Sequence, residues 1–193
     1  METEEIITAD KQNLKAKKFL MWLFIISSFM MFAALTSGFI VYTEGNVERG
    51  IKVLLPKAFM YSTMLIILSS VTVHLAQDAA RKLQFDKQKL YIIVTILLAA
   101  GFFYSQITAW KVLYQSGAYF VNYNASQSFI YVFTGAHLLH ILLGLFFLIY
   151  AFIGKLRHIP QARNLFRMEV ASIFWHFIDI LWIYLYVFLL LNQ

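Results

Sequence analysis

Two histidines lie three residues apart in a stretch that otherwise consists of apolar and small residues. His137 and His140 occur in TGAHLLHILLG, and a second apolar stretch, FWHFIDILWIYLY, places His176 three residues before Asp179. Residues at this spacing share one side of an α-helix. Ionisable groups in such surroundings need a partner, so these four residues are candidates for a buried polar cluster, a proton-conducting or lipid-headgroup site, or a metal site.

The scarcity of carboxylates favours the structural interpretation over a metal site. Ferritin-like di-metal sites need several carboxylates in Glu-x-x-His form, whereas the second helix of this pair offers Asp179, with Glu169 ten residues earlier. We predict a buried hydrogen-bonded cluster in which Asp179 pairs with one or more of His137, His140 and His176. No metal ligand and no catalytic residue is predicted.

Glu169 is predicted to begin the fifth helix at the inner edge of the membrane. A carboxylate near a helix N-terminus is stabilised by the helix dipole. Arg163 and Arg167 lie within reach along the sequence and could pair with it. We therefore add Glu169 to the polar cluster as a structural residue.

The composition of the chain is that of a membrane protein. Of its 193 residues, 61% are hydrophobic and 13% are charged, against about 25% charged in water-soluble domains. A helix needs about 20 apolar residues to cross a bilayer, and lipid-facing barrels need shorter, alternating strands. The sequence predicts an all-α polytopic protein with five transmembrane helices, at about 19–42, 53–77, 90–114, 126–154 and 168–191.

The distribution of positive charge predicts the orientation of these helices. Twelve of the sixteen Lys and Arg residues lie in the N-terminal segment and in the loops at 78–89 and 155–167. By the positive-inside rule, the N-terminus lies inside and the C-terminus outside. We predict a cytoplasmic segment at 1–18 and a five-helix membrane domain at 19–193. The net charge of +6 is then a topology signal, and we predict no nucleic-acid partner.

Two further features limit the possible chemistry. The chain has no cysteine, which excludes disulfides, thiolate metal sites and cysteine nucleophiles. The polar N-terminal segment lacks the short apolar region and cleavage site of a signal peptide, so the first helix is predicted to act as its own insertion signal.

The last two helices resemble those of the cytochrome c oxidase subunit III family of the haem–copper terminal oxidases. That family shows T-G-x-H-x-x-H-x-x-x-G followed by E-x-x-x-x-x-W-H-F-x-D-x-x-W. The matching residues are Thr134, Gly135, His137, His140, Gly144, Glu169, Trp175, His176, Phe177, Asp179 and Trp182. The stretch 55–73, which includes Pro56, resembles another family helix. The resemblance runs from about residue 18 onward, and the five helices match the short form of the family.

The resemblance implies a role in a respiratory complex of the bacterial plasma membrane that reduces oxygen to water and pumps protons. In this family the haems and copper belong to the partner subunits I and II, and this subunit carries no cofactor of its own. Its helices flank a cleft that holds phospholipids. The subunit is thought to support proton uptake and to protect the catalytic subunit from inactivation during turnover.

Two departures from the family pattern refine this expectation. The family often has a glutamate in the first helix where this chain has Ser28. Near the end of the third helix it often has Q-x-x-E, where this chain keeps Gln106 but has Ala109. A serine cannot store a proton near neutral pH. We therefore expect assembly and stabilisation as the main role, in a divergent branch that could supply one of two subunit-III-like chains in a complex.

Three alternatives fit the sequence less well. An accessory protein of a nitric oxide reductase is the nearest alternative within the family. A haem-b membrane anchor or a metal-dependent membrane hydroxylase belongs to another class and would show a haem spectrum or bound iron. A proton-coupled transporter is disfavoured because Asp179 is the only acid that we predict to be buried, with Glu169 at the inner edge, and no broken helix or inverted repeat is visible.

Overall fold

The computed structural model describes residues 2–44, 50–51, 55–121, 124–156 and 160–192, and the side chains of all of these except 2–12 and 155–156. Within these ranges the chain forms helices α1 (Glu2–Thr43), α2 (Lys57–Arg81), α3 (Phe85–Gln115), α4 (Ala125–Leu156) and α5 (Gln161–Leu191). Each contains a segment long and apolar enough to cross a bilayer. The predicted all-α class with five spans is confirmed, and the orientation of the termini stays a prediction.

The helices extend beyond the apolar blocks that predicted them. α5 begins at Gln161, directly after Pro160, and not near residue 168, while α3 begins at Phe85 and not near residue 90. Hydropathy marks the part of a helix that lies in hydrocarbon, whereas polar residues continue the same backbone hydrogen bonding outside it. The division into a segment at 1–18 and a membrane domain at 19–193 stays a prediction.

Four of the helices form a ring, and the remaining helix packs on its outside. Going round the ring, α2 contacts α3, α3 contacts α4, α4 contacts α5, and α5 contacts α2. α1 packs against α4 and α5. Large apolar side chains such as Met30, Leu97 and Ile180 are about two-thirds exposed on the outer surface, as expected for a surface in contact with lipid.

The interior of the ring is filled with aromatic side chains. Trp182 stacks near Phe59 at a centroid distance of 5.9 Å and meets Phe102 edge-on at 4.9 Å. Trp175 is also buried, and beside it α4 carries Gly144, whose missing side chain lets the two helices approach closely. Through these two tryptophans α5 packs against α2, α3 and α4.

The turns at the ends of α2 and α3 have the same hydrogen-bond pattern. Gln84 N–H donates to the Ala79 carbonyl at the end of α2, and Ala118 N–H donates to the Leu113 carbonyl at the end of α3. This is the Schellman arrangement, which places the preceding residue in the left-handed region. That residue is Gly117 after α3, with φ of 83°, but Leu83 after α2, with φ of 59°.

Candidate functional site

His137 points from α4 into the centre of the four-helix ring and is fully buried. The centroid of its ring lies 4.9 Å from that of Trp182 and 5.8 Å from that of Phe102. Neither of its ring nitrogens has a hydrogen-bond partner among the described residues. The imidazole therefore packs as part of the aromatic core.

His140 faces α1 and not the centre of the ring. Its Nδ1 atom lies 2.8 Å from the Ala136 carbonyl oxygen, and its Nε2 atom lies 3.2 Å from Ser28 Oγ. Because a carbonyl oxygen only accepts, Nδ1 carries the hydrogen and Nε2 of the neutral ring is an acceptor. The Ser28 hydroxyl has one hydrogen, which it donates either to this nitrogen or to the Phe24 carbonyl oxygen, 2.8 Å away. His140 thus forms a polar contact between α4 and α1.

His176 and Asp179 lie on the side of α5 that contacts α2. His176 Nδ1 is 2.7 Å from Ser70 Oγ, and its ring centroid is 6.3 Å from that of His74. Asp179 is 4% exposed, and neither carboxyl oxygen forms a hydrogen bond within the described part of the chain. Ser70 also lies close enough to interact with the Asp179 carboxyl, but the hydrogen bond with acceptable geometry goes to His176.

The structure does not bring the predicted residues into one hydrogen-bonded cluster. His140 contacts α1, His176 contacts α2, and His137 lies among the aromatic rings of the core. The reason is rotational: three residues along a helix correspond to about 300° of rotation, so the side chains diverge by about 60°. In a bundle this angle is enough to direct His137 and His140 toward different neighbouring helices.

Glu169 contacts α1, which corrects two parts of its predicted role. Its Oε1 atom lies 2.6 Å from Lys18 Nζ, and both side chains are partly exposed. Glu169 therefore pairs with Lys18 on α1, a residue far away in the sequence, where the sequence suggested the nearby Arg163 or Arg167. Because α5 begins at Gln161, Glu169 lies more than two turns into the helix, beyond the reach of the dipole at its first turn.

Three tryptophans share one kind of contact, in which the indole N–H donates to a hydroxyl group on another helix. The pairs are Trp110 with Thr134, Trp175 with Ser69 and Trp182 with Thr63, each with a nitrogen–oxygen distance of 3.0 Å. Hydrogen bonds of this kind between membrane helices contribute about 0.6 kcal/mol on average. They position the indole rings, and so the depth of each helix relative to its neighbour.

Gln106 and Ala109 lie on the buried side of α3. Gln106 Nε2 donates to Ser62 Oγ on α2 at 3.1 Å, and Ser105 Oγ donates to the Ala58 carbonyl at 2.8 Å. Ala109 is fully buried. Gln106, which matches the family pattern, therefore joins α3 to α2. Ala109, which stands where the family often has a glutamate, is closely packed.

The remaining motif residues have local roles. Pro56 directly precedes α2, with φ of −55° and ψ of 140°, and so lies one residue before the helix. Gly135 has no neighbouring atom within 4 Å of the position that a Cβ would take. Phe177 is half-buried, with its ring 6.2 Å from that of Phe174.

The partners of these residues on α2 are hydroxyl groups, and Ser and Thr residues in membrane helices most often serve in helix packing. Hydroxyl residues of α2 that contact a side chain of α3 or α5 include Ser62, Thr63, Ser69 and Ser70. Their spacing of seven residues, which is close to two helical turns, places them on one side of the helix. This seven-residue repeat in the sequence indicates which side of α2 contacts the neighbouring helices.

No metal-binding group forms among the residues that the structure describes. There, no three His, Asp or Glu side chains come together in a way that could hold a metal ion. The chemistry of the arrangement is hydrogen bonding and aromatic packing between helices.

The sequence profile of the family described as cytochrome c oxidase subunit III matches residues 8–192. The chain belongs to the cytochrome c oxidase subunit III family. A cytochrome c oxidase subunit 3 of Bacillus sp. (strain PS3) is 30% identical over 199 residues, which cover 96% of this chain and 95% of that protein. A quinol oxidase subunit 3 of Bacillus subtilis (strain 168) is 27% identical, covering 86% of this chain and 81% of that protein.

Family members of different length also match. A cytochrome c oxidase subunit 3 of Ornithorhynchus anatinus is 25% identical over 66% of this chain but only 48% of that protein. The almost complete mutual coverage with the relative from Bacillus sp. (strain PS3) agrees with the short, five-helix form of the family. The family match includes the whole of α4 and α5.

Proposed function

We propose that this chain is the third subunit of a respiratory haem–copper oxidase, which it supports without carrying a redox centre. The observation that carries the proposal is the family match over residues 8–192, together with 30% identity to a bacterial subunit 3 along nearly the whole of both chains. In such a complex, oxygen is reduced to water in the catalytic partner subunits I and II. The part played by this chain is to pack against them and to hold lipid at its surface.

The histidine surroundings support a role without haem or copper in this chain. His140 and His176 each hydrogen-bond to a serine, and His137 is enclosed by two aromatic rings. An axial haem ligand needs open space for the porphyrin beside the imidazole, and the core around His137 is filled by Trp182 and Phe102. Structural support through helix packing is the function that these contacts serve.

A groove between α1, α4 and α5 supports the proposed binding of phospholipid. It encloses about 390 Å³ and is lined almost entirely by apolar and aromatic side chains. The apolar lining consists of Leu20, Met21, Phe24, Phe146, Phe147, Tyr150, Phe166 and Val170, with Lys17 and Arg167 at the margin. An acyl chain fits a lining of this kind because the acyl chain has no polar group that needs a hydrogen-bond partner.

A polar pocket adjoins this groove and shares its basic residues. It holds about 310 Å³ and includes Asn13, Lys17, Arg163 and Arg167. The Arg167 guanidinium lies over the ring of Tyr150, 3.9 Å from the ring centroid, which holds it at the junction of the two cavities. Basic residues at the end of an apolar groove are suited to the phosphate of an anionic lipid.

The position of these basic residues also supports the proposed orientation in the bacterial plasma membrane. Lys17, Arg163 and Arg167 lie at the end of the bundle that contains the start of α1 and of α5. Anionic headgroups and the positive-inside rule both favour the cytoplasmic side for this end. Reporter fusions near residues 84 and 160 are expected to read inside, and fusions near 48 and 120 outside.

Purification of the tagged chain from its native membrane tests the proposed function. We expect it to carry with it haem- and copper-containing subunits that consume oxygen, while the chain separated from them shows no haem band. Purification of the chain without any partner subunit would contradict the proposal. So would stoichiometric haem, copper or iron in the separated chain that His137→Ala removes.

The lipid proposal has a separate test. Phospholipid bound to the purified complex is measured by mass spectrometry for the wild type and for Arg167→Gln. We expect the variant to lose anionic phospholipid, with Lys111→Gln at the other end of the bundle as the matched control. Equal lipid content in all three would exclude Arg167 as a headgroup contact.

A further inference from the structure

A line of polar side chains follows the contact between α2 and α5, from the end of α2 into the middle of the bundle. It begins at Asp78, whose Oδ2 atom lies 3.9 Å from His74 Nε2. The His74 ring is next to that of His176, with 6.3 Å between centroids, and His176 Nδ1 is 2.7 Å from Ser70 Oγ. The line ends at Asp179, beside Ser70.

The two residues at the outer end of this line are the most exposed, and the residue at its inner end is buried. The side chain of His74 is 63% exposed and that of Asp78 is 38% exposed. His176 is half-buried, and Asp179 is 4% exposed. The line therefore has one end open to water, at His74 and Asp78, and one buried end, at Asp179.

Asp179 is placed where an ionised carboxyl is costly. It lies twelve residues before Leu191, the end of α5, which is about 18 Å along the helix axis. Neither of its oxygens has a hydrogen-bond partner in the described part of the structure. Inserting an aspartate at such a depth costs about 2.5–3.5 kcal/mol, and no cation or N–H donor in the described residues offsets this cost. Chains of carboxyl and imidazole groups inside membranes are a recurrent form of proton relay.

We propose that this line conducts protons between water at the α2–α3 end of the bundle and the Asp179 carboxyl. A proton that reaches His176 Nε2 from the side of His74 allows Nδ1–H to pass its proton to Ser70 Oγ. The hydroxyl in turn gives its own hydrogen to a carboxylate oxygen of Asp179. Ser70 gains one proton and loses one, so the net result is the protonation of Asp179 and no charge remains on the serine.

The other polar groups at this contact do not offer a second route. Gln77 Oε1 accepts from Ser172 Oγ at 2.9 Å, and Thr72 hydrogen-bonds to Thr95 on α3 at 2.8 Å. None of these four side chains titrates in the physiological range. Among the described residues, the titratable groups near His176 are thus His74 and Asp78 toward the open end of the line and Asp179 toward its buried end.

Infrared spectroscopy of the purified complex containing the full-length chain tests this proposal directly. The carboxylic C=O band of Asp179 is isolated by subtracting the spectrum of Asp179→Asn, and its shift is followed after transfer to D₂O. In the wild type and in Ser70→Thr we expect the band to shift in D₂O, because the carboxyl hydrogen of Asp179 exchanges for deuterium. Exchange should slow about tenfold or more in Ser70→Ala, because a positioned proton-transfer group contributes at least that factor.

Two further variants keep the test informative if Ser70→Ala disturbs assembly. His74→Phe alters an exposed side chain and should slow exchange while the chain stays in the complex. Ser69→Ala changes the neighbouring serine, which bonds to Trp175 and not to the line, and should exchange as fast as the wild type. Equal rates in all variants, or no protonated carboxyl band that Asp179→Asn removes, would overturn the proposal.

Discussion

The indole of Trp175 lies against Gly144 so closely that a Cβ added to the glycine would come within 3.0 Å of Trp175 Cε3. The same atom would lie 2.9 Å from Ile178 Cδ1. This contact sets the spacing between α4 and α5. Because Trp175 is held by its hydrogen bond to Ser69, it has little freedom to move away.

Gly144→Ala should therefore destabilise the chain by about 1–3 kcal/mol, the usual cost of overpacking. The measurement is thermal unfolding in detergent, together with the amount of chain retained in the complex. Gly135→Ala is the matched control, since it lies in the same helix with open space around it, and should be neutral or slightly stabilising. Equal effects of the two substitutions would show that the Trp175 contact does not limit the helix spacing.

Ser28→Ala removes the hydroxyl that faces His140 Nε2. We expect a loss of about 1 kcal/mol in stability, with steady-state oxygen consumption by the complex and its pH dependence almost unchanged, because a serine hydroxyl does not titrate in that range. Turnover is measured against pH for wild type, Ser28→Ala and the exposed neighbour Ser27→Ala. A selective loss of activity at alkaline pH in Ser28→Ala would place Ser28 on a proton path.

Deleting the whole chain should shorten the active lifetime of the complex.

The ion pair between Lys18 and Glu169 should make a small, salt-dependent contribution. Both side chains are partly exposed, so Glu169→Gln is expected to cost about 0.2–1 kcal/mol, decreasing as ionic strength rises. The exchange of both residues, Lys18→Glu with Glu169→Lys, should recover most of this loss in thermal unfolding. If Lys18→Glu alone were as stable as the wild type, that result would contradict a direct ion pair between these two side chains.

Leu83→Gly should stabilise the chain. Leu83 occupies the left-handed region with φ of 59° and is 57% exposed, so the backbone penalty is removed with little loss of packing. The gain should be about 1 kcal/mol, because a non-glycine residue in this region costs about 1–2 kcal/mol. Gly117→Ala, at the equivalent position after α3, should shift the unfolding temperature in the opposite direction. A lower unfolding temperature for Leu83→Gly would indicate that its side chain makes a contact that outweighs the strain.

The sequence determined the class of the protein because the bilayer imposes strong constraints on a chain. Apolar length predicted five membrane helices, since only a helix satisfies its own backbone in lipid. The pattern around His137, His140, His176 and Asp179 indicated the family. α3 and α5 start before the predicted spans because hydropathy reports the hydrocarbon thickness and not the full length of a helix.

The tertiary structure alone decided what each buried polar group contacts. The spacing of His137 and His140 fixed the angle between them but not the rotation of α4, which directs one toward Trp182 and the other toward Ser28. Lys18 and Glu169 are separated by 151 positions, and no local pattern connects them. Such contacts depend on how whole helices are placed around the ring, and this placement follows from the summed packing of many side chains.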